Sequence, residues 1–105
     1  MSMGLAERVR SAVAALLHAT GESQTDLATA LGVSQAQVSR RQSGSAAWSL
    51  TDCDAVAAHY GVDVLDLLAG PTRAVEALPA ARRRLPGSRA ATARPVVVPD
   101  GRTRS

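Results

Sequence analysis

Helix stop and start signals alternate along residues 4–70, and they constrain the fold more than any other feature of the chain. Glycine tolerates the left-handed backbone at a helix C-terminus, and serine or aspartate side chains accept hydrogen bonds from the free N–H groups at a helix N-terminus. The stops are Gly21, Gly32, Gly44 and Gly61, and the starts that follow them are Ser23, Ser34, Ser49 and Asp63. The pattern predicts five short helices, the first from about Gly4 to Ala19, and the end of the domain at Gly70-Pro71.

Apolar residues recur at helical spacing inside these segments, which predicts one buried face per helix. Hydrophobic residues make up 46% of the chain but aromatic residues only 2%, so the core must consist mainly of alanine, valine and leucine. Alanine favours helices over strands, and the fold class is therefore all-α. The expected inward positions are Leu5, Val9, Val13, Leu16, Leu27, Ala28, Leu31, Val38, Leu50, Cys53, Val56, Ala57, Tyr60, Val64, Leu65 and Leu68.

The composition changes after Gly70. Residues 1–70 contain four arginines and seven acidic residues, whereas residues 71–105 contain eight arginines and two acidic residues within the overall charge of +3. Arginine, proline and alanine dominate the second part, which is typical of a disordered segment. We expect a folded domain at 1–70 and a flexible basic tail at 71–105, in which Arg82, Arg83 and Arg84 are either a solvated charge run or an auxiliary phosphate contact. Val75 and Leu78 allow one more weak helix from Thr72 to Ala81, which Pro79 limits.

Several classes of protein are excluded by what the sequence lacks. A single cysteine, Cys53, allows neither an internal disulfide nor a multi-cysteine metal site. We find no phosphate-binding loop, no dinucleotide fingerprint and no zinc-protease motif, so we expect no enzyme, no cofactor, no metal and no small-molecule substrate. No apolar run approaches the roughly 20 residues that span a bilayer. We therefore expect a cytoplasmic protein without membrane contact.

The segment from Gln24 to Gly44 has the spacing of a helix-turn-helix. Two short helices flank the Gly32-Val33-Ser34 turn, and the second helix, from Gln35 to about Gln42, has Val38 as its one large apolar residue. A helix this polar gains little stability from burial, so its polar face is available for binding. Glutamine pairs with adenine and arginine with guanine in the major groove, and the outward face offers Gln35, Ala36, Ser39 and Arg40 as base-reading residues.

Here the sequence resembles the lambda-repressor-like family of helix-turn-helix DNA-binding proteins. The resemblance covers about residues 5–69, and its motifs are Leu27-Ala28, Leu31-Gly32-Val33-Ser34, Val38-Ser39-Arg40, Ser49-Leu50, Tyr60-Gly61-Val62 and Leu65 to Leu68. The sequences from Val38 to Arg41 and from Ala47 to Leu50 look most like those of small regulators of actinobacterial phages and prophages. The resemblance implies a five-helix DNA-binding domain.

The resemblance also implies contacts to the DNA backbone. Gln24 would hold a phosphate at the start of the second helix, and Ser43 and Ser45 would touch the backbone beyond the recognition helix. The chain departs from the family at Arg41, where an apolar or aromatic residue is usual, and at Gln42, where a glutamate is usual. We expect Arg41 to reach a phosphate instead of packing. Trp48 is either a lid on the core or part of an interface.

These observations predict a sequence-specific transcriptional regulator that binds a double-stranded DNA operator, acting as a repressor of the phage or prophage immunity type and located at the nucleoid. Alternatives within DNA binding are an antitoxin or a host regulator. The alternative from another class is a protein-binding module such as an antirepressor. A homodimer, if formed, would use this domain or the tail.

Overall fold

The computed structural model describes residues 4–84, a range in which the regular structure is helical and contains no strand. Six α-helices follow one another, and a single 3₁₀ turn at Ala80–Arg82 comes after the last of them. The helices are α1 (Leu5–Thr20), α2 (Gln24–Leu31), α3 (Gln35–Ser43), α4 (Leu50–Tyr60), α5 (Val64–Leu68) and α6 (Pro71–Ala77). The predicted all-α class is confirmed for this part of the chain.

The predicted start and stop residues set the bounds of the helices. The Ser23, Ser34 and Ser49 side chains each accept from the backbone N–H three residues later, and Asp63 accepts from the Leu65 N–H. The predicted stops Gly21, Gly32, Gly44 and Gly61 all adopt the left-handed conformation. Local capping chemistry therefore fixes where α2, α3, α4 and α5 begin and where the first four helices end.

The core lies where α1, α4 and α5 meet, with α2 and α3 closing one side. Tyr60 is its largest fully buried side chain. Cys53 is also buried, and burial, followed by the negative charge of Asp52, raises the pKa of its thiol. The prediction of Cys53 as a core residue is confirmed. The largest fully buried side chains are Tyr60, Leu16, Leu27, Leu67, Val13, Val38, Val56 and Cys53.

Three leucines that we expected to point inward lie on the surface instead. Leu5, Leu50 and Leu65 are 54%, 73% and 71% exposed. Leu50 and Leu65 lie in the first turns of α4 and α5. Because α5 has only five residues, Leu67 takes the buried position that we expected for Leu65. One turn of helix is too short for periodicity to select the buried face.

The folded region also extends beyond the expected boundary at residue 70. Pro71 begins α6 rather than ending the domain, because its fixed φ and missing N–H suit the first position of a helix. α6 packs along α1 with Ala74 and Leu78 buried. The predictions of five helices and of a tail that starts at residue 71 are therefore wrong. The folded region contains a sixth helix and extends to Arg84. The rest of the predicted tail, residues 85–105, lies outside the described residues.

Moving this boundary changes the distribution of charge. Residues 4–84 contain eight arginines and eight acidic residues and are neutral overall, whereas residues 85–105 contain four arginines and one acidic residue. The folded region is therefore not an acidic body with a strongly basic tail, as a boundary at residue 70 suggested. Any preference of the folded region for a charged partner must come from how its charges are placed.

None of the described helices has the length and hydrophobicity needed to cross a bilayer.

Candidate nucleic-acid interface

The turn between α2 and α3 is built from three residues with distinct tasks. Gly32 has φ 72°, a left-handed conformation that other residues adopt only with strain. The Val33 N–H then donates to the Ala28 carbonyl at 3.0 Å, which closes the end of α2. Ser34 caps α3 by accepting from the Gln37 N–H at 3.1 Å, and the Gln37 side chain accepts from the Ser34 N–H at 2.8 Å. The turn is thus held by backbone and capping bonds.

Burial orients α3 against α2 through a small number of side chains. Leu27 and Ala28 of α2 are buried, and Val38 is the one buried residue of α3. The small Ala28 side chain lets the two helices approach closely. Since Val38 alone is fully buried, most of the circumference of α3 is left for other contacts.

The predicted base-reading residues lie together on the accessible side of α3. Gln35, Ala36 and Arg40 are exposed, and Ser39 is half-buried. These residue types match the donors, acceptors and methyl groups of the major groove. Within residues 4–84 no acidic side chain pairs with Arg40, so its guanidinium is available to a partner.

Gln24 lies beside this face. The Gln35 Nε2 donates to the Gln24 Oε1 at 3.3 Å, which links the first residues of α2 and α3. Within residues 4–84 no group accepts from the Gln24 side-chain N–H groups, as a phosphate contact would require. The structure therefore brings together the residue predicted to hold phosphate and the first residue predicted to read bases.

Arg41 occupies a different environment from the one we expected. Its Nε donates to the Asp52 Oδ2 at 3.1 Å, and its Cζ lies 5.7 Å from the centroid of the Trp48 ring. The Arg41 side chain is only 19% exposed. We expected Arg41 not to pack, and this expectation is wrong, because its guanidinium contacts Asp52 and Trp48.

Asp52 is fitted to this role. Burial alone would raise the pKa of its carboxyl, but hydrogen bonds from the Ser49 N–H and hydroxyl, together with the Arg41 charge, hold that pKa below its usual value of 3.8. The Ser49 N–H donates to the Asp52 Oδ2 at 3.0 Å, and the Asp52 N–H donates back to the Ser49 hydroxyl. One carboxylate thus caps α4 and ties the end of α3 to it.

Gln42 provides a second tie at the same end of α3. Its Nε2 donates to the Arg10 carbonyl at 3.1 Å, and its Oε1 accepts from the Trp48 Nε1 at 2.9 Å. A glutamate here could accept from the indole but could not donate to the carbonyl. The amide therefore satisfies both neighbours, which explains the departure from the family at this position. Trp48 is half-buried against the core, as a lid would be.

Ser43 and Ser45 lie beyond the reading face, where the backbone contacts were expected. Both hydroxyls donate to the Arg40 carbonyl, at 3.0 Å and 3.3 Å, and the two hydroxyl oxygens are 3.1 Å apart. The same carbonyl also accepts from the Ala46 N–H at 3.1 Å, so the two serines and the loop close the end of α3 together. Their oxygens are exposed, but the structure gives both residues a capping role.

The charge pattern around α3 favours an anionic partner. The sequence has no acidic residue between Asp26 and Asp52, and it has Arg40 and Arg41 within that interval. Asp52 compensates Arg41, which leaves Arg40 as the exposed positive charge of α3. A neutral domain therefore presents a local positive surface at this helix.

A second polar cluster, at the far end of α4, was not foreseen. The Glu22 carboxylate accepts from the Tyr60 hydroxyl at 3.1 Å and from Arg82 at 3.2 Å, and it lies 3.0 Å from the His59 Nε2. The Arg84 N–H donates to the Ala19 carbonyl at 2.7 Å. Arg82 is therefore docked and not part of a solvated charge run. Burial and the Glu22 charge raise the pKa of the Tyr60 hydroxyl.

A family model described as the BetR domain matches residues 2–98. No curated protein and no solved structure matches the chain.

Proposed function

We propose that this chain, which belongs to the BetR domain family, is a sequence-specific DNA-binding regulator that places α3 in the major groove. The family match covers most of the chain and is compatible with a small regulatory domain. The observation that carries the proposal is the face of α3: Gln35, Ala36 and Arg40 are exposed side by side on a helix that Val38 anchors.

The geometry supports a helix-turn-helix of the lambda-repressor type. An α-helix fits the major groove of B-DNA, and in such motifs the N-terminal residues of the second helix meet the base edges. Gln35 would read the first base, with Gln24 bonded to it and donating to a phosphate, and Arg40 would read a guanine one turn further along. Ser39 completes the reading face.

We propose repression as the regulatory sense, with a phage or prophage operator as the target. Repression needs only occupation of an operator, which the α3 surface would supply. Activation would need a further contact with the transcription machinery. An antitoxin or a host regulator would use the same surface.

Selection of bound sequences from a random pool of duplex DNA tests the proposal. The expected result is one enriched motif, whose preference at a single position is lost in the Arg40→Ala variant. Arg73→Ala is the matched control, because it removes the same charge from a 65% exposed side chain on α6 that pairs with Asp66. Recovery of no motif by the parent protein, at low as well as moderate salt, contradicts the proposal.

A further inference from the structure

Residues 79–84, which we call the docked segment, cross the end of the domain where α1 and α4 both stop. Pro79 lies against Gly61 at the end of α4, where an added Cβ would be 3.4 Å from the Pro79 Cγ. Arg82 then donates to the Glu22 carboxylate at 3.2 Å. The docked segment is therefore fixed at two points before it reaches its last residue.

Arg84 ends the docked segment on the turn between α1 and α2. Its backbone N–H donates to the Ala19 carbonyl at 2.7 Å. Its side chain runs along Gly21, where an added Cβ would lie 3.1 Å from the Arg84 Cδ and 3.5 Å from its Nη1. The residue is exposed, and within residues 4–84 no acidic side chain pairs with it. Its guanidinium is therefore held over this turn and is available to an anion.

The same turn leads directly into the residue that we expect to hold a phosphate. Gly21 precedes Gln24 by three residues, so the two lie within about 11 Å of each other even in a fully extended chain. Successive phosphates of one DNA strand are about 3.4 Å apart along the helix axis. A strand whose phosphate meets Gln24 can therefore bring a neighbouring phosphate within reach of Arg84.

Without the docked segment, the start of α2 would repel such a strand. Glu22 and Asp26 place two carboxylates within two residues of Gln24, and a phosphate carries the same sign of charge. Arg82 pairs with Glu22, and Arg84 adds a second positive charge at the same turn. The docked segment therefore offsets the negative charge of this part of the surface.

We infer that Arg84 contacts a DNA phosphate next to the one at Gln24, and that Glu22 positions Arg84 by holding Arg82. The docked segment is then a second part of the DNA interface, supplied from outside the helix-turn-helix. It adds a contact that the two helices cannot make, because α2 contains no cation and those of α3 lie in the second half of that helix. The inference rests on the proposed function.

The salt dependence of DNA binding by the full chain tests the inference, on the selected duplex and on a random duplex. Arg84→Gln should reduce the slope of log K against log salt by about 0.9 on both duplexes, as loss of one phosphate contact does. The ranking of operator sequences should not change, because phosphate contacts carry no base information.

Arg83→Gln is the matched control. Arg83 is the neighbouring residue, is exposed and carries the same charge, but its guanidinium donates to the Val75 and Glu76 carbonyls at the end of α6. Its slope should equal that of the parent. An equal fall in slope for Arg83→Gln and Arg84→Gln would mean that only total charge matters, and it would overturn the inference.

Glu22→Ala tests the positioning role separately. Loss of a carboxylate near DNA would by itself tighten binding. If Glu22 positions Arg84, the slope should instead fall as in Arg84→Gln, and the double variant Glu22→Ala/Arg84→Gln should fall no further. Tighter binding with a steeper slope would contradict this role. Arg84→Gln keeps the test independent of any stability that Glu22→Ala loses, because Arg84 is exposed.

The outcomes separate this inference from the proposed function. An Arg84→Gln variant with the slope of the parent, while the operator is still selected, would overturn the inference alone. A preference lost at one base position in Arg84→Gln would also overturn it, because Arg84 would then read a base. A parent chain that binds no duplex even at low salt contradicts the proposed function and this inference together.

Discussion

α1 and α3 are both capped amphipathic helices, yet different forces hold them in place. α1 buries a stripe of four residues, Val9, Ala12, Val13 and Leu16, between α4, α5 and α6. α3 buries Val38 alone and is tied at its C-terminal end by hydrogen bonds from Arg41 and Gln42. Because α3 is held by hydrogen bonds at its C-terminal end and by one apolar side chain, its N-terminal face stays accessible. In α1, by contrast, packing covers most of the helix surface. The difference shows where binding capacity lies in this fold.

The largest expected effect comes from breaking the apolar anchor of α3. Val38→Asp should lower the free energy of unfolding by several kcal/mol, because a carboxylate would be buried without a partner among apolar side chains. Thermal and urea unfolding measure the loss. Ala36→Asp is the control, since Ala36 is exposed in the first turn of the same helix and should melt near the parent. Equal melting temperatures for Val38→Asp and the parent would show that α3 does not depend on this anchor.

The next effect tests the other side of the comparison, the packing around α1. Leu78→Ala should cost about 2–5 kcal/mol, as large-to-small changes at buried leucines do. A chain ended after Arg84 should melt like the full chain, whereas one ended after Gly70 should be strongly destabilised. If the two truncated chains melted alike, α6 would contribute nothing to the fold.

A smaller effect concerns the polar tie between α3 and α4. The pKa of Asp52 is lowered in the folded state, so its ionised form favours folding. That contribution is present at neutral pH and is lost as pH falls below about 4, through the lowered pKa. Asp52→Asn should cost about 1 kcal/mol at neutral pH and should reduce the loss of stability on acidification. Urea unfolding between pH 3 and pH 7 provides the measurement.

Parent and Asp52→Asn proteins with parallel stability curves across that pH range would contradict the assignment. Asp26→Asn is a useful comparison, because the pKa of Asp26 is also lowered, by hydrogen bonds from Ser23, but no cation among residues 4–84 pairs with it. Asp26 caps α2 alone, whereas Asp52 also bonds to α3.

The sequence predicted what depends on neighbours in the chain and missed what depends on distant contacts. The caps Ser23, Ser34 and Ser49 act within three residues, so the bounds of α2, α3 and α4 followed from local chemistry. Arg82 docks on Glu22 sixty residues away, and no local pattern indicates this contact. Pro71 signals a helix start as well as a domain end, and only the packing of α6 on α1 decides between them.

In the candidate site, too, the sequence predicted the features that depend on local chain geometry and missed those that depend on distant contacts. Gln35, Ala36 and Arg40 are accessible as the helical periodicity indicated, because that periodicity follows from backbone geometry. The departure from the family at Arg41 indicated a phosphate contact without packing. Asp52 and Trp48, supplied by α4 and the loop before it, instead engage its side chain.

Adjacent arginines on α3 give the most direct test of the account, because they carry the same charge and have different surroundings. The measurement is binding of Arg40→Gln and Arg41→Gln to the selected duplex and to its single-base variants across a range of salt concentrations. Arg40→Gln should lose about 1–3 kcal/mol on the preferred site and should relax the preference at one base position. Arg41→Gln should weaken binding to all sequences alike, without the change of about 0.9 in salt slope that loss of a phosphate contact produces. Unchanged base preference in Arg40→Gln, or a preference lost in Arg41→Gln, would contradict the assignment of the reading face to the exposed side of α3.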